Sequence, residues 1–300
     1  MSPTRHHALP ARPWLAIGCV LCAVACFAAL DTTAKAVSAT VPVLVAVWFR
    51  YLFQALVTTA VMLPWRGRRL LVTANPRFQL LRGGLLLTVS MLSFYAVTLM
   101  PVGEFTAIVM LTPLAVTLAA ALFLGERVSR LRWLLVGGGF AGALFIVRPG
   151  GQLSGWLTLL PLLMVALYAS FQILTARLAR TENPMTLHFY TGWVGALGMS
   201  AIVPWVWSDI PDAVSFLQLC LVGLMGTVGH FLLIVAYGRA PASTLSPYLY
   251  AQIGFAMLAG WLVFGHTPGL LEWLGVGMIA CCGMAAAWLS AQESARESAR

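Results

Sequence analysis

Charge is in short supply along this chain. Lys, Arg, Asp and Glu make up 9% of it, where a soluble domain carries about 25%. Nine side chains are acidic, and Lys35 is the sole lysine. No cysteine lies in a loop. Cys19, Cys22, Cys26, Cys220, Cys281 and Cys282 all sit inside apolar runs, which excludes the loop-stapling disulfides of a secreted domain. Cys19, Cys22 and Cys26 share one helical face, a spacing that could hold a soft metal. Such thiols more often pack as small residues, and no metal site is expected. A phosphate loop is missing, so ATP does not drive the chain directly. So are an HExxH motif, a serine in a nucleophile elbow and a second aspartate within an apolar run. No catalytic residue, and hence no enzyme, is expected, and no cofactor.

What is present is apolar surface. Hydrophobic residues make up 60% of the chain. They fall into ten runs, at about 14–37, 41–64, 78–99, 101–124, 131–148, 155–177, 184–206, 214–237, 241–264 and 270–290. A helix rises about 1.5 Å per residue, so runs of this length cross a hydrocarbon core of about 30 Å. The run from Trp14 is too long for a signal-peptide core and has no clear cleavage site, so it is read as the first span. The expected fold is an all-α membrane protein with ten transmembrane helices.

The net charge of +9 does not imply nucleic acid, because the arginines sit in short loops where they set topology. With the N-terminus in the cytoplasm, the cytoplasmic segments hold 14 of the 18 Lys and Arg residues. Arg66, Arg68, Arg69 and Arg77 fall in one such loop, and Arg127, Arg130 and Arg132 in another. The opposite face keeps Lys35, Arg148, Asp209, Asp212 and Glu272. Both termini are therefore expected in the cytoplasm, and the protein in the inner (plasma) membrane as a multi-pass chain.

The runs repeat. PVGEFTAIVMLTPLAVTLAAALFLGE at 101–126 aligns without a gap on PASTLSPYLYAQIGFAMLAGWLVFGH at 241–266, an offset of 140. Continued through Gly137 and Gly277, the alignment holds ten identities in 37 positions, among them Pro101/Pro241, Gly125/Gly265 and Trp133/Trp273. An offset of 142 pairs Trp14 with Trp156, Thr33-Ala34-Lys35 with Thr175-Ala176-Arg177, and Pro42 with Pro184. Five spans are written twice, and five is odd, so the copies enter from opposite faces. The expected organisation is a cytoplasmic tail (1–13), a first five-helix repeat (14–148), an inverted second repeat (155–290) and a cytoplasmic tail (291–300). Inverted repeats mark secondary transporters.

The stretches FYAVTLMPVGEFTAIVMLTPLAVTLAAALFLGER and AYGRAPASTLSPYLYAQIGFAMLAGWLVFG resemble the drug/metabolite transporter superfamily, and within it the EamA-type ten-helix members. The resemblance spans residues 14–290. It implies a carrier in which helices 1–4 and 6–9 surround a central cavity, with 5 and 10 outside as braces. That family handles amino acids, nucleotide sugars, riboflavin, S-adenosylmethionine and cationic drugs. Alternating access with amino-acid or related metabolite export is the first expectation. Uptake of a vitamin or nucleoside-like cofactor, of the riboflavin or S-adenosylmethionine class, is the alternative. A passive channel or a membrane enzyme is a more distant one.

Ionisable groups inside a span invite a functional reading. Asp31 and Lys35 lie four apart on one helical face. They read either as a self-neutralising pair or as a proton-coupling site, with Lys35 or Arg50 as counter-charge. Arg50 reads either as an anchor for an anionic or zwitterionic substrate or as a structural partner of Asp31. Arg82, near the end of its span, is expected to snorkel. Trp48, Tyr95, Thr112, His188, Tyr190, His230, Tyr248 and Gln252 complete the candidate substrate-binding set, with Ser90 and Ser93 beside them. Pro113 and Pro247 interrupt spans four and nine and read as hinges. Gly138 and Gly142 form a GxxxG face for internal packing or a homodimer. The expected partners are a small-molecule substrate and the lipid bilayer.

Overall fold

The structure, a computed structural model, describes residues 13–99, 102–147, 159–265 and 267–298. The expected tail at 1–13, apart from Pro13, lies outside the described residues, as do Pro101, Arg148, Trp156 and His266. Among the described residues the chain is all helix, without strands.

Twelve helices follow in order: α1 (Pro13–Val37), α2 (Val43–Arg66), α3 (Pro76–Leu99), α4 (Val102–Val109), α5 (Thr112–Phe123), α6 (Arg130–Val147), α7 (Leu159–Leu178), α8 (Pro184–Ser200), α9 (Ala213–Tyr237), α10 (Ala242–Leu249), α11 (Ala251–Phe264) and α12 (Leu270–Ser298). Local chemistry sets several ends. Asp212 caps α9 by accepting from the Ser215 amide at 2.7 Å, and Asn183 caps α8 by accepting from the Met185 amide at 2.9 Å. Gly125 and Gly265 follow α5 and α11 at φ +65° and +71°, a left-handed turn open to glycine.

Among the described residues, seven helical stretches are long and apolar enough to cross a membrane, by length and composition. The expected spans at 78–99, 101–124 and 184–206 are not among them. α8 stops at Ser200, ahead of Pro204, which cannot continue the helical hydrogen bonds. The fourth run is split into α4 and α5, and the ninth into α10 and α11, although Ala242–Phe264 still counts as one crossing stretch. Within the tail expected at 291–300, α12 continues as helix through Ser298.

Both splits have a chemical basis. Pro113 lacks the amide that would bond Val109, and the Thr112 hydroxyl donates to that carbonyl instead, at 2.6 Å. Pro247 likewise frees the Ser243 carbonyl, and the Ser246 hydroxyl takes it at 3.1 Å. The first break comes at Met110–Leu111, just before its proline. The second comes at Tyr250, three residues after its own.

α1 packs on α9 and α11, α2 on α8 and α9, α3 on α7 and α8, and α5 on α7 and α10. α6 pairs with α12. Glycines set the closest approaches. A side chain at Gly195 would meet the Tyr51 ring at 2.2 Å, and one at Gly142 would meet the Gly275 carbonyl oxygen at 2.9 Å. The GxxxG face of α6 is thus occupied by α12 of the same chain, and a homodimer would have to use another face.

Candidate functional site

A cavity of about 220 Å³ lies between the two helix breaks. Val109, Met110 and Thr112 line it from one break, and Leu249 and Gln252 from the other. α1 contributes Phe27 and Asp31, α2 Arg50, α3 Ser90 and Ser93, α7 Tyr168 and Gln172, and α9 His230. Of the eight helices that the resemblance puts around the cavity, the one that forms α8 supplies no wall.

Arg50 is held from two sides. Its guanidinium lies over the Tyr51 ring, 4.4 Å from the centroid. Gly226 on α9 leaves room for its stem, since a Cβ there would come within 3.1 Å of Arg50 Cγ and Cδ. Tyr51 is fixed in turn against Gly195 and by a 3.0 Å hydrogen bond between its hydroxyl and Ser90. Arg50 Nε and Nη2 are buried and have no hydrogen-bond partner among the described residues. A guanidinium so held keeps its charge at the cavity wall, and a widening of the cavity would uncover its two unpartnered donors.

Asp31 is exposed to the cavity and accepts from Gln252 Nε2 at 3.0 Å. The expected partnerships of this carboxylate change. Among the described residues the ion pairs are Arg132–Glu293 and Arg180–Glu126. Asp31 therefore pairs with neither Lys35 nor Arg50. Lys35 reaches the Phe264 ring instead, at 5.0 Å, and does not line the cavity.

Of the residues singled out in the sequence, the cavity gathers Asp31, Arg50, Ser90, Ser93, Thr112, Pro113, His230 and Gln252. The Thr112 hydroxyl is engaged with its own backbone. His230 packs its ring on Phe27 and Phe171, at 4.8 and 6.3 Å.

Others lie elsewhere. Trp48 donates to Ser200 at 2.9 Å and meets Trp207 edge-on. Tyr95 is exposed, outside the cavity lining. His188 is buried against Gln54 and Phe231. Tyr190 donates to the Leu71 carbonyl at 2.9 Å. Tyr248 and Pro247 belong to a separate apolar groove between α1 and α12. Arg82 does not snorkel. It is fully buried, donating to the Leu187 carbonyl, to Thr191 at 2.5 Å and to Thr175 at 3.4 Å. Neutral acceptors on α7 and α8 keep it inside.

Sequence reasoning passed over Tyr168 and Gln172. Gln172 is the one amide in α7, and the offset of 142 sets it opposite Leu30, which also lines the cavity. That pairing was the available signal.

The cavity thus offers one cation with free donors, one carboxylate, two serine hydroxyls and several aromatic faces. It is suited to holding a polar ring system and letting it go. The sequence pattern of the EamA-like transporter family matches residues 14–148 and 155–286. A "Riboflavin transporter" of Brucella anthropi is 30% identical over 80% of this chain and 86% of its own length. A "Riboflavin transporter" of Rhizobium johnstonii is 33% identical over 60% of this chain, and the alignment spans 59% of that relative's length. An "S-adenosylmethionine uptake transporter" of Rickettsia conorii is 26% identical over 74% of each chain. A solved crystal structure shares the fold with a TM-score of 0.75 at 20% identity, covering 91% of this chain and 98% of the other.

Proposed function

The chain belongs to the EamA-like transporter family, and on that footing we propose that it is an uptake carrier for a vitamin or nucleoside-like cofactor, riboflavin first among the candidates. The relatives favour this alternative over amino-acid export, which none of those described above is named for. The observation that carries the proposal is the Arg50 guanidinium, packed on Tyr51 at the cavity wall with Nε and Nη2 buried and unpartnered among the described residues. A flavin pyrimidine edge presents carbonyl and ring-nitrogen acceptors to such donors, and an imide N–H to Asp31. Phe27, Tyr168 and His230 give its rings faces to stack on. The cavity is smaller than the roughly 300–1,000 Å³ of ligand pockets in general, so the whole substrate enters a wider conformation.

The fold proposed for this carrier has ten spans in two inverted repeats, 14–148 and 155–290. Its site is in the inner membrane, with both termini cytoplasmic. The helix pairings support it. Exchange α1 with α7, α2 with α8, α3 with α9, α4 and α5 with α10 and α11, and α6 with α12. The pairings of α1 with α9 and α11 then map onto those of α7 with α3 and α5, that of α2 with α9 onto α8 with α3, and α2–α8 and α6–α12 onto themselves, whereas α5–α10 has no counterpart among the principal pairings. The breaks at Met110 and Tyr250 also stand 140 residues apart, the offset of the repeat. Such breaks near mid-membrane are where secondary carriers bind substrate. Pro113 and Pro247 serve as hinges in this reading.

Asp31 is the proposed proton-coupling group, with Gln252 as the partner that its charged form keeps. The test uses purified protein in liposomes, with labelled riboflavin, S-adenosylmethionine and an amino-acid mixture offered in turn. Saturable riboflavin uptake, stimulated by an inward proton gradient, is expected. In Asp31→Asn the stimulation is lost. Amino-acid transport with no uptake of either cofactor overturns the substrate reading, and undiminished stimulation in Asp31→Asn removes the proton site.

A further inference from the structure

Among the described residues, two buried or loop-held carboxylates tie the chain before 148 to the chain after 158 at one face. Gly125, in its left-handed conformation, turns the chain so that Glu126 points back at α10. Although Glu126 lies in a loop, its side chain is 8% exposed. Its Oε1 accepts from Arg180 Nη2 at 2.7 Å and from the Ala242 amide at 3.2 Å, and its Oε2 from the Ser243 amide at 3.0 Å. The carboxylate thus sits on the positive N-terminal end of α10 and on a guanidinium of the α7–α8 loop.

The same loop holds Glu182. Its Oε1 accepts from Thr73 Oγ1 at 2.9 Å, the Ala74 amide at 3.0 Å and Asn75 Nδ2 at 3.2 Å. Every one of these bonds joins a residue before 148 to one after 158. They lie on the arginine-rich face, which is read as cytoplasmic. Among the described residues, two side-chain bonds join the same two halves at the opposite face, Thr40 with Ser215 at 3.0 Å and Trp48 with Ser200 at 2.9 Å, and both are neutral. Gly265 repeats the left-handed turn of Gly125, but the next residue in sequence is histidine rather than an acid.

We propose that Glu126 and Glu182 form the latch of the cytoplasmic gate, and that its charge makes the outward-facing form the resting state. Opening inward requires Glu126 to leave both α10 and Arg180, and Glu182 to leave the segment before α3. In the sequence, His266 stands where the repeat has Glu126, and the cytoplasmic gate is then the stronger of the two. This rests on the carrier reading and on the orientation given by the arginines.

The test is a distance measurement on the full-length protein in lipid nanodiscs. Nitroxides replace Arg127 and Thr181, both exposed, after replacement of the six native cysteines. With both carboxylates present a single short-distance population is expected. Glu126→Gln and Glu182→Gln each add a longer-distance population, with the open-to-closed ratio rising on the order of tenfold. Arg180→Gln, which removes the ion pair but leaves the helix cap, gives a smaller shift. Unchanged distances in Glu182→Gln and Arg180→Gln overturn the latch, even if Glu126→Gln yields no folded protein. The distances need no substrate. A shift in a protein that moves no riboflavin therefore sinks the substrate reading and keeps the latch. Riboflavin transport with fixed distances does the reverse.

Discussion

Arg50 carries a charge that no carboxylate among the described residues meets at contact distance. Its position depends on Tyr51 beneath the guanidinium and on Gly226 beside its stem. A hydrogen bond to a charged group contributes about 1.5–3 kcal/mol. Arg50→Lys keeps the charge but loses the planar fork of donors, so KM for riboflavin should rise about tenfold or more while folded yield is unchanged. Radiolabelled uptake at graded concentrations reads this, and an unaltered KM removes Arg50 from the site. Arg82 carries the opposite lesson. Its position near the end of a span suggests an exposed head, yet Leu187, Thr175 and Thr191 on neighbouring helices accept its donors in the interior. Sequence spacing gives depth along a helix but not the acceptors on the next one.

At the scale of elements, the helices themselves were legible wherever apolar runs were continuous. α1, α2, α6 and α9 begin and end within two residues of expectation. The breaks were legible only in part. Pro113 marks its own, but the break near Pro247 falls three residues later, where the chain tightens at Tyr250 and Ile253 donates to the Tyr250 carbonyl at 3.1 Å. Which face of each helix meets the cavity was harder still. Tyr248 shares a helical face with Gln252 by spacing, but the break between them turns Tyr248 toward α1 and α12. The pairing of α6 with α12 gives a direct stability test. A leucine at Gly142 would drive its Cβ to 2.9 Å from the Gly275 carbonyl oxygen, whereas Gly137 has nothing within 4 Å. Overpacking costs about 1–3 kcal/mol. Gly142→Leu should therefore melt several degrees lower in detergent, and Gly137→Leu should melt like the parent. Equal melting temperatures would show that the close α6–α12 contact contributes nothing to stability.

For the whole molecule, the repeat in the sequence and the pairing of helices support the same organisation. A cavity sits between two breaks, one in each half, and on the arginine-rich face charged bonds join residues before 148 to residues after 158. The identity of the substrate was not legible from periodicity or charge. It depends on a handful of side chains from nine helices, and relatives named for riboflavin and S-adenosylmethionine supply the candidates. The central claim is that this cavity carries a flavin across the membrane, gripped by Arg50. Counterflow tests it most directly. Liposomes holding the purified protein are preloaded with unlabelled riboflavin, and entry of labelled riboflavin is followed without any ion gradient. The account predicts a transient accumulation of label above equilibrium, abolished in Arg50→Ala. Simple equilibration without overshoot, or an overshoot that survives in Arg50→Ala, would contradict it.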